Sequence, residues 1–505
     1  MKKIIFAAIL TAISVCGMEA QSIYDMQGLT TPNINGTARY MSMAGSFGAL
    51  GGDVSAILDN PATLGIFRKS EINFSLKIVP TYTSGFWNGE KNSDNRTKFG
   101  LNNITWVLNL PTRNETGYLA SNLSFGYHKI KDFNRRIGLS NRNMAYSLTD
   151  VIASMTNDLY EDDLIEANDP YNNPDVGFLS ELGYQGYLID PVTAGGNQWK
   201  TAIDGQLGGK YMALERGSID DFNFTYSGNI SDVFYFGLGT SMQSYNRTLE
   251  SKYSENFYNI NNDYFDLYNY TYQSGVGINF KFGGIFRVAP AFRLGISFQT
   301  PTYYSFKTQQ KADLYTNVVD GKTSTPYNTW NYGYRSPLKA QISAGVVIGK
   351  RAALNVDYQI STTKTMKFTS PYDDAFWKVF QIENDDVKEF AKSIVHTIKF
   401  GAEVIISKNI KLRGGVAYIT SPLKNNFQKN FAINTTRTDL EYFADKSQIF
   451  GTGGIGFNFG KIALDFAYVF NGVNQTFMPF KTDREVAGEV HTFNHNVVAT
   501  FSFKY

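Results

Sequence analysis

Two-residue alternation of apolar and polar side chains, repeated through the second half of the chain, is the feature that most limits its fold. From Leu338 to Ile348 the even positions are Leu, Ala, Ile, Ala, Val and Ile, while the odd ones include Lys339, Gln341 and Ser343. Leu354, Val356, Tyr358 and Ile360 alternate with Asn355, Asp357, Gln359 and Ser361. Ile398, Phe400, Ala402 and Val404 alternate with Thr397, Lys399 and Glu403, and Ile462, Leu464, Phe466 and Tyr468 with Lys461, Ala463, Asp465 and Ala467. Successive side chains of a strand point to opposite faces, so each run has one greasy and one polar face. No segment carries the ~18 consecutive apolar residues of a transmembrane helix. The choice is between a sandwich and a membrane barrel, which spreads its lipid-facing residues over every second position.

Loop rhythm decides for the barrel. About fourteen strands are expected, starting near Glu71, Asn102, Gly117, Asp221, Val233, Tyr270, Ala289, Pro337, Ala352, Val395, Ile410, Gln448, Lys461 and His491. Tight connections (228–232, 349–351, 407–409 and the Phe459-Gly460-Lys461 reversal) alternate with long ones near 83–97, 131–220, 247–270, 300–336, 362–395, 421–447 and 470–490. Short turns at one end and long loops at the other are the habit of outer-membrane barrels, and an even strand number puts both termini on the periplasmic side. The 39 Phe, 32 Tyr and 45 Gly agree, because aromatics suit strands and membrane interfaces and Gly suits turns and close barrel packing. The chain stops at "HNVVATFSFKY", with Val497, Ala499, Phe501, Phe503 and Tyr505 on one face. A last strand ending in an aromatic residue is the pattern read by the barrel assembly machinery. The expectation is an all-β fold: a transmembrane antiparallel barrel in the outer membrane of a Gram-negative cell.

Residues 1–20 read as a signal peptide: Lys2 and Lys3, then an apolar core from Ile4 to Val15, with cleavage after Ala20. The sole cysteine, Cys16, lies inside it. The mature chain is therefore expected to have no disulfide and no cysteine metal site. A net charge of +2 gives no support to nucleic-acid binding.

Residues 51–65, GGDVSAILDNPATLG, break the alternation. They suggest two small helical turns, one capped by Asp53 with Val54, Ile57 and Leu58 on one side, the next capped by Asn60 with Pro61 at its first position. The wider stretch 36–67, "GTARYMSMAGSFGALGGDVSAILDNPATLGIF", resembles the N-terminal plug of the FadL/TodX family of outer-membrane transporters for hydrophobic compounds. Asn60-Pro61-Ala62 falls where that family carries its NPA motif, and "SPLKAQISAGVVI", "LRGGVAYITSPLKN" and "IALDFAYVF" are similar in kind. The resemblance implies a barrel of fourteen strands (residues 71–505) blocked by a hatch (21–70). Long-chain fatty acids or similar compounds would pass along an apolar relay, by a hatch shift and an opening in the wall, without ATP. Burying each CH₂ is worth roughly 0.8 kcal/mol, so a greasy cargo gains from such contacts and gains nothing from a wide pore.

On this reading Phe47, Leu50, Val54, Ile57 and Leu58 are expected along the substrate path, and Arg68 or Lys69 beside a fatty-acid carboxylate. The lumen receives Lys339, Asp357, Lys399, Glu403, Lys411, Arg413 and Asp465, expected to pair with one another and with the hatch. The expected partners are a hydrophobic ligand, outer-membrane lipid and lipopolysaccharide, and the barrel assembly machinery. No catalytic set, metal or cofactor is expected. His491 and His495 are four strand residues apart, ~13 Å, too far to chelate together. The acidic runs at 161–163 and 383–386 lack an EF-hand pattern, and no nucleophile elbow is present. The long loop near 131–220 holds a helix-like stretch with Leu148, Ile152 and Met155 on one face, suited to a lid, a capture surface or a packed cap. The competing readings are a general porin, a surface adhesin and, further off, a haem receptor.

Overall fold

The computed structural model describes residues 22–505 apart from 32, 166–167, 320, 350, 371–379 and 482–486. The signal peptide and Cys16 lie outside the described residues. A closed antiparallel barrel of fourteen wall strands surrounds a helical N-terminal hatch. The wall begins with β1 (Glu71–Trp87), β2 (Glu90–Pro111) and β3 (Tyr118–Met144). A small hairpin, β4 (Ile189–Pro191) and β5 (Trp199–Thr201), stands outside it. The wall resumes with β6 (Gln206–Ile230), β7 (Phe234–Tyr258) and β8 (Tyr264–Ala289).

Three successive wall strands are each broken in two. They are β9 (Phe292–Gln299) with β10 (Tyr303–Thr316), β12 (Asn328–Arg335) with β13 (Leu338–Ile348), and β14 (Ala352–Thr362) with β15 (Lys367–Thr369); β11 (Gly321–Ser324) adds a short hairpin on β10. Pro301 and Pro337 stand in two of the breaks, where a residue without an N–H can end a ladder. The wall finishes with β16 (Ile394–Ile405), β17 (Ile410–Ile419), β18 (Tyr442–Phe459), β19 (Ile462–Met478) and β20 (Gly488–Lys504). The barrel closes by β1 pairing with β20 from Glu71↔Lys504 to Trp87↔Gly488.

Faces alternate as a lipid-embedded wall requires. On β20, Val497, Phe501 and Phe503 are exposed while Val498, Thr500 and Ser502 are buried. The β1–β2 hairpin turns at Asn88 (φ 48°) and Gly89 (φ 84°), the doubly left-handed turn whose twist suits two adjoining strands.

Strand ends differ from the sequence expectation in one consistent way. The loop expected over 131–220 is strand at both edges, because β3 runs to Met144 and β6 begins at Gln206; the loop expected over 247–270 shrinks to 259–263. A tilted membrane strand needs ~9–11 residues, yet β3, β6, β7 and β8 have 27, 25, 25 and 26. Their far halves stand clear of the bilayer and meet water outside. Polar residues such as Lys210, Arg216, Asn246 and Glu250 therefore take the outer face while Tyr211, Tyr245 and Tyr253 are buried inside. That polar half reads as loop in sequence.

The remaining segment, 145–205, folds as a packed cap. Ser147 and Asp150 make a reciprocal cap on the helix Leu148–Thr156, and Glu255 of β7 accepts from Leu148 N at 2.8 Å. Leu148, Ile152, Leu179 and Leu182 join Tyr211, Tyr253, Phe257 and Phe477 in one apolar core across the barrel mouth.

Above Asn103↔His128, β2 and β3 no longer pair. β3 instead crosses the inner side of the β1–β2 hairpin, where Asn134 Nδ2 donates to Val79 O at 3.4 Å and Asp132 pairs with Lys77 at 2.5 Å and Lys98 at 2.9 Å. The free edge of β2 is tied to β6 by side chains alone: Arg96 reaches Glu215 O at 3.1 Å and Lys98 reaches Gly217 O at 3.0 Å. This is a slit in the wall closed without a backbone ladder.

Candidate functional site: the hatch and its cavity

The hatch is a chain of short capped turns, which satisfy their own backbone inside a lumen where an unpaired strand would not. Thr37 caps Ala38–Ser42 by accepting from Tyr40 N at 3.1 Å. Asp53 caps Val54–Leu58 by accepting from Ser55 N at 2.9 Å, and Asn60 caps Pro61–Ile66 by accepting from Ala62 N at 3.0 Å. Asn60 also donates Nδ2 to Gly48 O at 2.8 Å, tying the last turn back to the segment before Asp53.

Wall charges hold the hatch in place. Arg39 grips Glu403 with two nitrogens, at 3.1 and 3.2 Å; Glu403 accepts from Arg413 at 2.6 Å, and Arg413 reaches Asp465 at 2.5 Å. Lys399 meets Asp59 at 2.8 Å, and Tyr40 donates to the same carboxylate at 2.6 Å. Asp357 accepts from Phe47 N at 3.1 Å and Gly48 N at 3.3 Å. Of the lumenal charges read from the alternation, Asp357, Lys399, Glu403, Arg413 and Asp465 engage one another or the hatch, whereas Lys339 and Lys411 make no ion pair among the described residues.

Several wall glycines leave room for the hatch to approach closely. A Cβ on Gly415 would lie 2.5 Å from Met43 C, one on Gly454 2.5 Å from Ser42 Cβ, and one on Gly401 2.7 Å from Met43 O. Gly237 and Gly283 likewise abut Pro61 and Asn60.

A cavity of about 100 Å³ lies between the hatch (Tyr40, Leu58, Asp59), the N-terminal segment (Gly28, Leu29, Thr31) and the broken part of the wall (Gln299, Thr302, Tyr304, Ser336, Lys339). Lys281 and Lys339 face it. Lys281 is 5% exposed, and neither ammonium makes an ion pair among the described residues. Two carboxylates line the same cavity: Asp59 pairs with Lys399, and Asp221 accepts from Ser241 and Gln243 without an ion pair among the described residues. On the mouth side, residues 22–31 separate this cavity from a second of about 170 Å³. Met26 and Leu29 pack there into an aromatic cluster with Phe133, Tyr304, Phe306, Tyr332 and Phe368.

The expected substrate-path residues are dispersed. Leu58 alone of them lines the cavity. Val54 and Ile57 pack with Leu64, Phe67 and Val107 against the wall, Phe47 stacks on Tyr40, and Leu50 sits in the cluster that holds Met41 and Phe47. The spacing of Val54 and Ile57 marks an apolar face, and here the barrel wall covers it. Arg68 and Lys69 are exposed at the short-turn end, where Arg68 pairs with Asp232. Neither stands at the cavity. Lys281 was legible, because Ile278, Phe280 and Phe282 face outward around it. Three histidines meet rings on the outer face, His396 accepting or donating to Tyr358 at 2.7 Å and His495 to Tyr468 at 2.6 Å, while His491 lies edge-on to Phe86. Among the described residues no group of three His, Cys, Asp or Glu could hold a metal.

The sequence matches no family model and no curated protein. Solved structures do resemble the fold. A Pseudomonas aeruginosa FadL homologue superposes with a TM-score of 0.53 at 12% identity, over 94% of this chain and 99% of that one. The P. putida toluene transporter TodX gives 0.51 at 10% identity, over 94% and 99%. The chain has the fold of the FadL/TodX type of outer-membrane transport barrel, closed by an N-terminal hatch.

Proposed function

We propose that this barrel carries hydrophobic small molecules passively across the outer membrane, with long-chain fatty acids as the favoured class, and that its long-loop end faces outward with both termini periplasmic. The observation that carries this reading is the cavity beside the hatch: Leu29, Leu58 and Tyr304 supply apolar contact, and Lys281 and Lys339 stand over it without an ion pair among the described residues. A buried cation without a counter-ion is costly, and an amphiphile's carboxylate relieves that cost while its tail lies along the apolar side. These two lysines take the role that Arg68 and Lys69 were expected to fill. Asn60-Pro61-Ala62 acts as the seat of the hatch, and the slit between β2 and β6 as the exit in the wall.

Uptake of labelled fatty acid and of labelled toluene, each normalised to folded protein, tests it. Replacing both lysines (K281Q/K339Q) removes charge-assisted hydrogen bonds worth ~1.5–3 kcal/mol each, so fatty-acid binding should weaken tenfold or more while toluene binding holds. Replacement of Asn60-Pro61-Ala62 should impair both, with the barrel still folded. Absence of any hydrophobic uptake by the wild type would sink the transport reading.

A further inference from the structure

A second cleft opens at the rim of the wall, apart from the cavity beside the hatch. At the break in the wall, where the end of β12 meets the end of β14 and the start of β15, a cleft of about 860 Å³ is lined by five cations, Arg335, Lys364, Lys367, Lys388 and Lys424, and by one carboxylate among the described residues, Asp385. Asp385 is paired with Lys388 at 2.8 Å. Lys364 and Lys367 are exposed and make no ion pair among the described residues. Arg335 and Lys367 are direct register partners on adjacent strands, and like charges set opposite each other in this way repel. Arg335 is fixed there by its Nε–H, which donates to Thr365 O at 2.6 Å. Tyr334 is buried in the mouth, while the buried Met366, Phe368 and Val387 floor the cleft, so the cations stand at its outer rim.

Their height along the wall selects the ligand. On β14 the lipid-facing side chains run Leu354, Val356, Tyr358 and Ile360, and Lys364 follows ten positions after Leu354. At ~3.3 Å per residue and a tilt of ~40°, the eight positions from Leu354 to the end of β14 at Thr362 span about 20 Å along the membrane normal, and Lys364 follows in the turn Thr363–Thr365, near the top of an apolar band ~25 Å tall. Tyr303, exposed on the outer face and the register partner of Arg335 on β10, marks the girdle at the same height. Cations level with the girdle, at the outer rim of the cleft, stand among lipid head groups. Guanidinium and ammonium groups together suit phosphate, the first by its fork and the second as point charges.

We propose that this cleft binds the phosphates of an outer-leaflet lipid, with one phosphate held between Arg335 and Lys367 and a second within reach of Lys364, Lys388 and Lys424. Such a lipid neutralises the opposed pair and seals the wall beside its broken strands. The site rests on the long-loop end facing outward, as proposed above, but not on transport.

The test uses the folded barrel in phosphatidylcholine nanodiscs doped with bisphosphorylated lipid A or with its dephosphorylated form, and reads lipid retained after extraction by native mass spectrometry. Wild type should retain the phosphorylated lipid at least tenfold over the dephosphorylated one, and K364Q/K367Q should lose that preference. K388Q/K424Q, at exposed loop positions that contribute nothing to the strand ladder, should reduce it in parallel. Equal retention of both lipids by wild type, or unchanged preference in both double variants, overturns the proposal. So does displacement of lipid A by inorganic phosphate at equal concentration, which would make the cleft a free-anion site. Nanodiscs expose lipid at both rims, so the result stands apart from orientation, which surface labelling of the 420–441 loop decides separately.

Discussion

Replacing Gly415 by alanine probes the fit of hatch to wall at one point. Gly415 faces the lumen on β17, and its missing Cβ would lie 2.5 Å from Met43 C and 2.8 Å from Ala44 N, both backbone atoms of the hatch. That is about 0.9 Å short of the 3.4 Å at which ordinary contact begins. The neighbour cannot rotate aside, since Ala44 already holds a left-handed φ of 53°, and the turn is fixed by Gly45 N to Tyr40 O at 3.0 Å and Ser46 N to Met43 O at 3.0 Å. The whole turn must move, loosening Ser46 Oγ from Asn355 O (3.0 Å) and Phe47 N from Asp357 (3.1 Å). Overpacking costs roughly 1–3 kcal/mol and each weakened hydrogen bond roughly 0.5–1.5. A total of roughly 2–6 kcal/mol raises the unseated hatch population about 30- to 20,000-fold. Planar-bilayer recordings should turn from near silence in the wild type to frequent openings in the variant. Gly414→Ala is the control, because that Cβ faces outward with nothing nearer than Thr452 O at 3.7 Å. Equal conductance of the two variants would show that the hatch is not seated as described.

Three further outcomes follow from particular residues. In the loop helix Gln381–Phe390, burial pushes the Glu383 carboxyl up to about 8 and that of Asp386 up to about 6, each helped by the other's or a neighbouring carboxylate, with Arg437 opposing at Glu383 and Asn430 at Asp386. A raised carboxyl favours the protonated folded form, so protection of this loop from protease should be greatest below pH ~4.5 and fall as pH rises toward 8. Glu383→Gln should flatten that fall, and an unchanged profile would refute the assignment. Deleting Tyr505 removes its N–H bond to Ser70 O (3.0 Å) and the acceptor of Trp106 Nε1 (2.6 Å) at the β1–β20 closure; heat-modifiable barrel in the outer membrane should drop while export continues. Tags at about residues 170 and 435 should be labelled on intact cells and one at Ser407, in the turn before β17, should not; labelling at Ser407 would invert the topology.

The resemblance and the alternation together made the barrel legible, but they did so unevenly. Period two assigns a face, so Lys399, Glu403, Arg413 and Asp465 could be sent to the lumen from sequence, as could the caps Asp53 and Asn60 from local chemistry. What a face meets is another matter. Arg39 and Glu403 are 364 residues apart and Asp59 and Lys399 are 340 apart; no local pattern pairs them. For the same reason the apolar side of Val54 and Ile57 could be seen but not its occupant, which is the wall at Val107. The far halves of β3 and β6 to β8 were read as loop because alternation changes meaning once the outside is water instead of lipid. The inward crossing of β3 left no mark at all, being set by Asp132 finding Lys77 and Lys98 across the hairpin. Sequence by itself determined strand faces, strand number and turn caps, which depend on near neighbours and on the solvent outside. The tertiary structure alone decided which charges, among the described residues, were left without an ion pair, at Lys281 and Lys339 in the lumen and at Lys364 and Lys367 on the rim, because neutralisation depends on distances between residues that only closure of the barrel brings together.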